Sequence, residues 1–178
     1  MRRALILTYE KFQDHEVIYP YYRLTEDNYQ VEIMSNKRGR FHGILGTYME
    51  GTHLVDDLLD TQKREEFLSY DMLVIPGGVK ALEKLRQEQH ALDFIAEWDA
   101  RGKVIACICH GAQMLISSKV VDGRDISGYY SIRDDISNAG ANYVDAPIVL
   151  AGNIITSPHY KHMGPWMKAA IDLVEDGL

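Results

Sequence analysis

Apolar residues in this chain gather in short, dense runs, and longer stretches with helical spacing lie between them. Residues 4–8, 72–75 and 104–108 are runs of aliphatic or small side chains, the pattern of strands buried on both faces and the first, third and fourth strands in chain order, and 31–34 reads as the second strand. After the first run, Asp14 reads as a helix N-cap. Glu16, Val17, Ile18, Tyr21, Tyr22 and Leu24 then follow at helical spacing, with an end near Asp27 and Asn28. The opening therefore predicts a β-α-β unit with a right-handed crossover. Residues 38–54 alternate and are punctuated by glycine, which predicts a hairpin beside the main sheet. The charged segment 56–69 predicts a helical turn on the surface. Residues 82–85, 90–100, 110–117 and 133–139 read as helix. A short strand near Ile126 precedes a turn at Gly128, Tyr129 and Tyr130, and 148–150 and 154–156 read as strands about Gly152 and Asn153. The chain closes on a helix over 165–174, with Trp166, Ala169, Ala170 and Leu173 on one side. Strands alternating with helices predict an α/β fold: a mostly parallel sheet with helices on both faces, in three layers.

One stretch, VIACICHGAQMLIS over residues 104–117, passes from strand to helix with only Cys109, His110 and Gly111 between them. Such an elbow holds one residue in a strained backbone conformation and lifts its side chain above the sheet. That residue is Cys109. With the free N–H groups of the new helix beneath it and His110 beside it, its thiolate is expected to be favoured over the thiol. Cys107, inside the strand, reads as a small buried hydrophobe. In parallel α/β sheets the chemistry sits at the carboxyl ends of the strands. There the first strand leads to Glu16, the third to Pro76, Gly77 and Gly78, and the fourth to Cys109 and His110. Read alone, Glu16 is equally an acid placed by the helix dipole, Glu83 a solvated surface acid, and Gly77 with Gly78 a plain turn.

Composition narrows the picture. With 178 residues, 46% of them hydrophobic and 25% charged, the chain can bury a full core as one domain over 1–178. A formal charge of −7 argues against nucleic acid as a partner. The apolar run ALIL after Met1, Arg2 and Arg3 is too short for a signal peptide or a membrane span, so a cytoplasmic protein without membrane contact is expected. Two cysteines two positions apart cannot form a disulfide framework. His159 and His162 lie three apart, but no carboxylate or cysteine in that segment completes a ligand set, so no metal site is expected.

The segments RALILT, FQDHEVIYPYYRL, VIPGG, ACICHGAQMLIS, SIRDDISNAGANYVD and GNIITS together resemble the PfpI family of intracellular proteases and amidases, within the DJ-one/PfpI superfamily of class I glutamine-amidotransferase-like proteins. The resemblance implies a flavodoxin-like sheet and a cofactor-free cysteine enzyme acting on a small molecule. Position by position, it implies Cys109 as nucleophile, His110 as general base or proton orienter, and Glu16 as the acid beside the sulfur. It implies oxyanion donors at Gly78 and at the His110 backbone. Glu83 resembles a glutamate that reaches the histidine of a neighbouring subunit, which implies a homodimer or a hexamer built from dimers.

Most departures from the family pattern fall on the loops around the expected crevice, Ala112 being a small change inside the elbow helix. Ala112 replaces the usual proline after Cys-His-Gly, Gln13 a usual acid, and Tyr129-Tyr130 a Tyr-Pro pair. Pro158, His159, Tyr160, Lys161, His162 and Met163 stand where the family commonly has Arg-x-Pro-x-Asp-Leu, and His15 stands beside Glu16. Tyr130, His15, His159 and His162 are therefore expected to line a pocket tuned to one small electrophilic substrate. Three readings stand at this point: a protease-, amidase- or deglycase-like hydrolase, a lyase of the glyoxalase III or isocyanide hydratase kind using the same cysteine, and a non-enzymatic peroxide sensor.

Overall fold

Every residue of the third and fourth apolar runs is buried, and these two strands lie side by side in the middle of a seven-stranded sheet. The computed structural model describes residues 1–177. In chain order, β1 (Arg3–Leu7) runs through α1 (Asp14–Glu26) to β2 (Gln30–Ser35). The strands β3 (Gly39–His42) and β4 (Tyr48–Gly51) form an antiparallel hairpin off the main sheet, and β5 (His53–Leu54) returns to pair with β2 at the sheet edge. Next, α2 (Thr61–Leu68) leads into β6 (Met72–Ile75), and α3 (Val79–Leu85) with α4 (Gln89–Ala100) leads into β7 (Val104–Ile108). Beyond β7 come α5 (Ala112–Ser117), β8 (Asp125–Ile126), α6 (Arg133–Asn138) and β9 (Asn142–Tyr143). The chain ends with the hairpin β10 (Val149–Ala151) and β11 (Ile154–Ser157), followed by α7 (Met163–Asp176).

The sheet order is β10-β11-β7-β6-β1-β2-β5, parallel throughout except for β10 against β11. On the sheet, α1 and α7 pack against each other and against β1, β2, β7 and β11, while α4 packs on β7 and against α5. This is the α/β sandwich, mostly parallel and flanked by helices, that the alternation of strand and helix predicts. Buried apolar side chains form one contiguous cluster in which Trp98 and Trp166 are fully enclosed. Each indole satisfies its N–H on a strand carbonyl, Trp98 on Val104 at 3.0 Å and Trp166 on Ile155 at 3.5 Å. Among the described residues no helix is long and apolar enough to cross a membrane.

Three local expectations change. The N-cap of α1 is Gln13, and Asp14 is the first residue of the helix. Its buried carboxylate instead accepts the N–H groups of Leu45 at 2.8 Å and Thr47 at 3.0 Å, together with the Thr47 hydroxyl. Burial opposes its charge, but these donors outweigh burial and hold its pKa below the ordinary 3.8. Residues 110–117 are not one helix: a 3-10 turn over Cys109–Gly111 precedes the six-residue α5. Residues 56–69 form more than a turn, since Asp60 caps α2 by accepting from Gln62 and Lys63, and a 3-10 turn over Val55–Leu59 precedes it.

Asp14 ties the start of α1 to the 43–47 loop through charge-assisted hydrogen bonds. Asp14→Ala leaves the Leu45 and Thr47 N–H groups without their acceptor and should lower unfolding free energy by about 2–3 kcal/mol. Urea denaturation checks this, and Asp14→Asn, which keeps one acceptor oxygen, should recover part of the loss.

Candidate active site

The site is assembled from the ends of three neighbouring strands. From β1 the chain passes through Lys11, at φ 73°, into α1, whose third residue is Glu16. From β6 it passes through Pro76, Gly77 and Gly78 into α3. From β7 it turns at Cys109, whose φ of 59° is a left-handed conformation that a side chain occupies only at a cost in strain. Both glycines are required. A Cβ on Gly77 would run into Glu16 Oε2, and Gly78, at φ 113°, brings its backbone so near the loop after β1 that a Cβ would lie 2.6 Å from the Gln13 nitrogen.

The three ends enclose a cleft of about 270 Å³ lined by Glu16, Gly78, Cys109 and His110. The sulfur of Cys109 lies 3.5 Å from His110 Nδ1. Glu16, fully buried, accepts the Gly77 N–H at 2.6 Å through Oε2, while its Oε1 has no hydrogen-bond partner. Burial pushes this carboxyl from the ordinary 4.5 up to about 8, against the Gly77 N–H and the Cys109 thiol, which both favour its charged form. Glu16 is therefore mostly protonated at neutral pH.

The expected charge state of the cysteine is reversed. Burial, with the Glu16 carboxylate as a second cause, pushes the Cys109 thiol well above the ordinary 9.0, and the His110 N–H only partly opposes this. Two supports assumed from the sequence are weak in the structure. The helix beneath the sulfur is short and begins as a 3-10 turn, and burial lowers the pKa of His110, so the imidazole is neutral at neutral pH and adds no positive charge. The resting pair is a thiol beside a protonated acid, and the sulfur becomes nucleophilic as its proton moves.

His110 is held from two sides. Its ring stacks on Tyr129 at 4.6 Å, and its Nε2 lies 3.3 Å from Ser131 Oγ. Among the described residues no carboxylate pairs with it. Glu83 stands apart: its side chain is 64% exposed, lies 3.9 Å from Lys80, and faces a separate charged hollow with Glu10, Lys11 and Lys84.

Of the four residues expected to tune a substrate pocket, His159 lines the cleft and three do not. Tyr130 is 42% exposed, and the neighbouring Tyr129 takes the lining position. His15 lies in an adjacent hollow, stacked on Tyr160 at 4.8 Å, and His162 closes the 3-10 turn Tyr160–His162 outside the cleft. The lining residues missed in the sequence are Gln13, Ile44, Val79, Tyr129 and Tyr160. Of these, Gln13, Tyr129 and Tyr160 sit at or beside motif departures, whereas Ile44 is brought in by the docking of the 43–47 loop, through the bridge between Phe12 and Gly43, the Ile44 N–H on the Phe12 carbonyl and the Asp14 bonds. Away from the cleft, Asp56, Glu88 and His90 bring ligand atoms within 4.8 Å of one another.

Known proteins are similar to this chain over nearly its whole length. The sequence pattern that defines the DJ-1/PfpI family matches residues 2–173. Deglycase PH1704 of Pyrococcus horikoshii is 39% identical over 173 residues, spanning 97% of this chain and 99% of its own. Deglycase PfpI of Pyrococcus furiosus is 37% identical over 173 residues with the same coverage. Among solved structures, a two-domain protein from Anabaena variabilis with DJ-1/ThiJ/PfpI-like and ferritin-like domains superposes with a TM-score of 0.87 at 28% identity, covering 97% of this chain and 48% of that one. Schizosaccharomyces pombe DJ-1 superposes at 0.84 with 20% identity, covering 99% of this chain and 92% of its own.

The raised carboxyl pKa ties stability to pH. Below about 4.5, Glu16 is protonated in the folded and unfolded states alike; between there and about 8 only the folded chain keeps the proton, so stability falls as pH rises through that window and levels off above it. In urea unfolding at the two ends of the window, Glu16→Gln should remove a pH-dependent loss on the order of a few kcal/mol. Equal pH dependence in the two proteins would mean that the carboxyl is not held protonated.

Proposed function

Because the chain belongs to the DJ-1/PfpI family, we propose that it is a cysteine-dependent, cofactor-free hydrolase of the deglycase type, acting on the bond between a small carbonyl-derived fragment and an amine or thiol. The observation that carries this reading is the placement of Cys109, strained at φ 59°, with its sulfur in a cleft between a protonated acid and a neutral imidazole.

In this reading Cys109 Sγ bonds to the electrophilic carbon while its proton passes to His110 Nδ1, 3.5 Å away. The electron pair displaced from the carbon–oxygen double bond settles on oxygen, facing the backbone N–H groups of Gly78 and His110. Collapse restores the double bond and breaks the bond to the amine or thiol, which leaves with a proton from His110 or Glu16. Water then adds to the thioester with His110 as base, the carbon–sulfur bond breaks, and the proton returns to Cys109. Ser131 and Tyr129 keep the imidazole turned toward the sulfur throughout. Glu83, exposed and without a role inside one protomer, is left to reach the histidine of a second copy in a homodimer or a hexamer of dimers.

One observation favours a second reading within the same site. A carboxyl titrating at about 8 is matched to take a proton from carbon and return it near neutral pH, a step that acyl transfer does not need. Addition of Cys109 to the aldehyde of a 2-oxoaldehyde, a proton shift from the first to the second carbon through Glu16, and hydrolysis of the resulting thioester would give a 2-hydroxy acid as sole product.

The lactoyl amide of a small amine and the lactoyl thioester of a small thiol, which carry the leaving group on the carbonyl carbon, serve as test substrates. Cys109→Ser should lose at least ~10³-fold in kcat/KM, by analogy with loss of a nucleophile elsewhere. An unchanged rate would remove the covalent mechanism, and no turnover by the unaltered protein would leave the redox-sensor reading. Release of the amine or thiol with the acid supports hydrolysis, whereas a sole 2-hydroxy acid from free methylglyoxal supports the second reading. For either reaction kcat/KM should fall in acid as His110 takes up a proton below the ordinary 6.5, and fall again above about 8 as Glu16 loses its own. Glu16→Gln should abolish the alkaline limb, which a merely structural Glu16 would not do.

A further inference from the structure

The catalytic cleft, at about 270 Å³, holds little more than the reacting fragment of a substrate, and two hollows border it. One shares Ile44 with the cleft and is charged, being lined by Glu10, Lys11, Lys80, Glu83 and Lys84. The other, about 450 Å³, is lined by His15, Ile18, Tyr19, Tyr22, Leu45 and Met163, and the surface it exposes is entirely apolar. Asp14 also borders it, yet both oxygens of that carboxylate are taken up by the Leu45 and Thr47 N–H groups and the Thr47 hydroxyl. No unpaired oxygen of that carboxylate is therefore offered to an occupant.

Aromatic rings connect the nucleophile to the apolar hollow. His110 stacks on Tyr129 at 4.6 Å, Tyr129 faces His159 at 6.1 Å, His159 meets Tyr160 at 4.1 Å, and Tyr160 stacks on His15 at 4.8 Å. Tyr129, His159 and Tyr160 line the cleft, and His15 lines the hollow. Gln13 of the cleft reaches His15 Nδ1 at 3.4 Å, and one loop supplies Ile44 to the cleft and Leu45 to the hollow. The hollow is thus the next compartment along the same wall. At about 450 Å³ it has room for a single ring or branched alkyl group, the size of the distal end of a small molecule.

We propose that this hollow is a substrate subsite: the amine or thiol half of the substrate runs along the Tyr129–His159–Tyr160 wall and places a neutral aromatic or branched apolar group among Ile18, Tyr22, Leu45 and Met163. Burial of such a group against Leu45 and Tyr22 adds binding that is largely equal in the ground and transition states, so it lowers KM more than it raises kcat. This assignment of substrate class rests on the hydrolase reading above, while the subsite itself can be observed without turnover.

The test uses the unaltered protein with two thioesters, lactoyl adducts that share the acyl carbons and differ in the thiol, N-acetylcysteine in one and 2-phenylethanethiol in the other. The aryl adduct should have a KM lower by at least about tenfold, the scale of one buried apolar group. Tyr22 and Leu45 are 62% and 64% exposed, so Tyr22→Gln and Leu45→Gln should fold normally. In these variants the preference should fall toward parity with the N-acetylcysteine adduct unchanged. Independently, titration with 2-phenylethanol should shift the methyl NMR signals of Ile18, Leu45 and Met163 saturably, and Leu45→Gln should weaken the effect on Ile18 and Met163. Equal KM values together with no saturable shift would overturn the subsite. It would also be overturned if sedimentation showed a dimer that Tyr22→Gln and Leu45→Gln dissociate, because a second copy would then occupy the hollow. Failure to turn over either adduct while 2-phenylethanol still binds would count against the hydrolase reading and leave the subsite standing.

Discussion

The hydrogen bond from the Gly77 N–H to Glu16, 2.6 Å long and fully buried, is the constraint on which the site depends. It joins the first helix to the turn after β6, and it does so at the one place where the β7 turn brings Cys109 alongside. A side chain on Gly77 would displace the carboxyl, and a side chain on Gly78 would push away the loop after β1. The bond fixes only one oxygen of Glu16. The other is buried without a partner, which makes the proton-bearing form the cheaper one to keep.

From that constraint the charge balance of the site follows. Three titratable groups sit together, and burial moves each toward its neutral form: the carboxyl and the thiol upward, the imidazole downward. The site is thus a set of neutral proton carriers in contact, able to pass a proton without first separating charge. A free-standing thiolate would be reactive toward many oxidants and electrophiles. A thiol whose proton must move to a neighbour reacts when an electrophile is already in place. The stacking of His110 on Tyr129, and of further rings beyond it, gives that neighbour a fixed orientation and gives the substrate a wall to lie along.

Much of this was legible in the sequence because the strands that carry the site are buried on both faces, so that runs such as MLVI and VIACI admit few other readings. The elbow at Cys109 was legible because a helix follows a strand with no room for a loop. The thiol's direction was misread because it depends on burial and on an acid that arrives from another strand, neither of which local spacing contains. Asp14 was misread for a related reason: an acid at a helix start looks like a cap whether it serves its own helix or, as here, the distant Leu45 and Thr47. Loops without periodicity gave the least. Tyr129 lines the cleft where Tyr130 was expected, a shift of one position that turns a neighbour inward, and Ile44 enters from a hairpin whose docking no pattern in the sequence announces.

The central claim is that Glu16 keeps its proton at neutral pH beside the Cys109 sulfur. Infrared difference spectroscopy of the unaltered protein against Glu16→Gln tests it directly through the carboxylic acid C=O stretch. The account predicts a band of a protonated, buried acid that persists through neutral pH, vanishes with a midpoint near 8 and is absent from the variant. A band that disappears near the ordinary 4.5 would contradict it, because Glu16 would then sit charged beside the thiol and could not supply a proton.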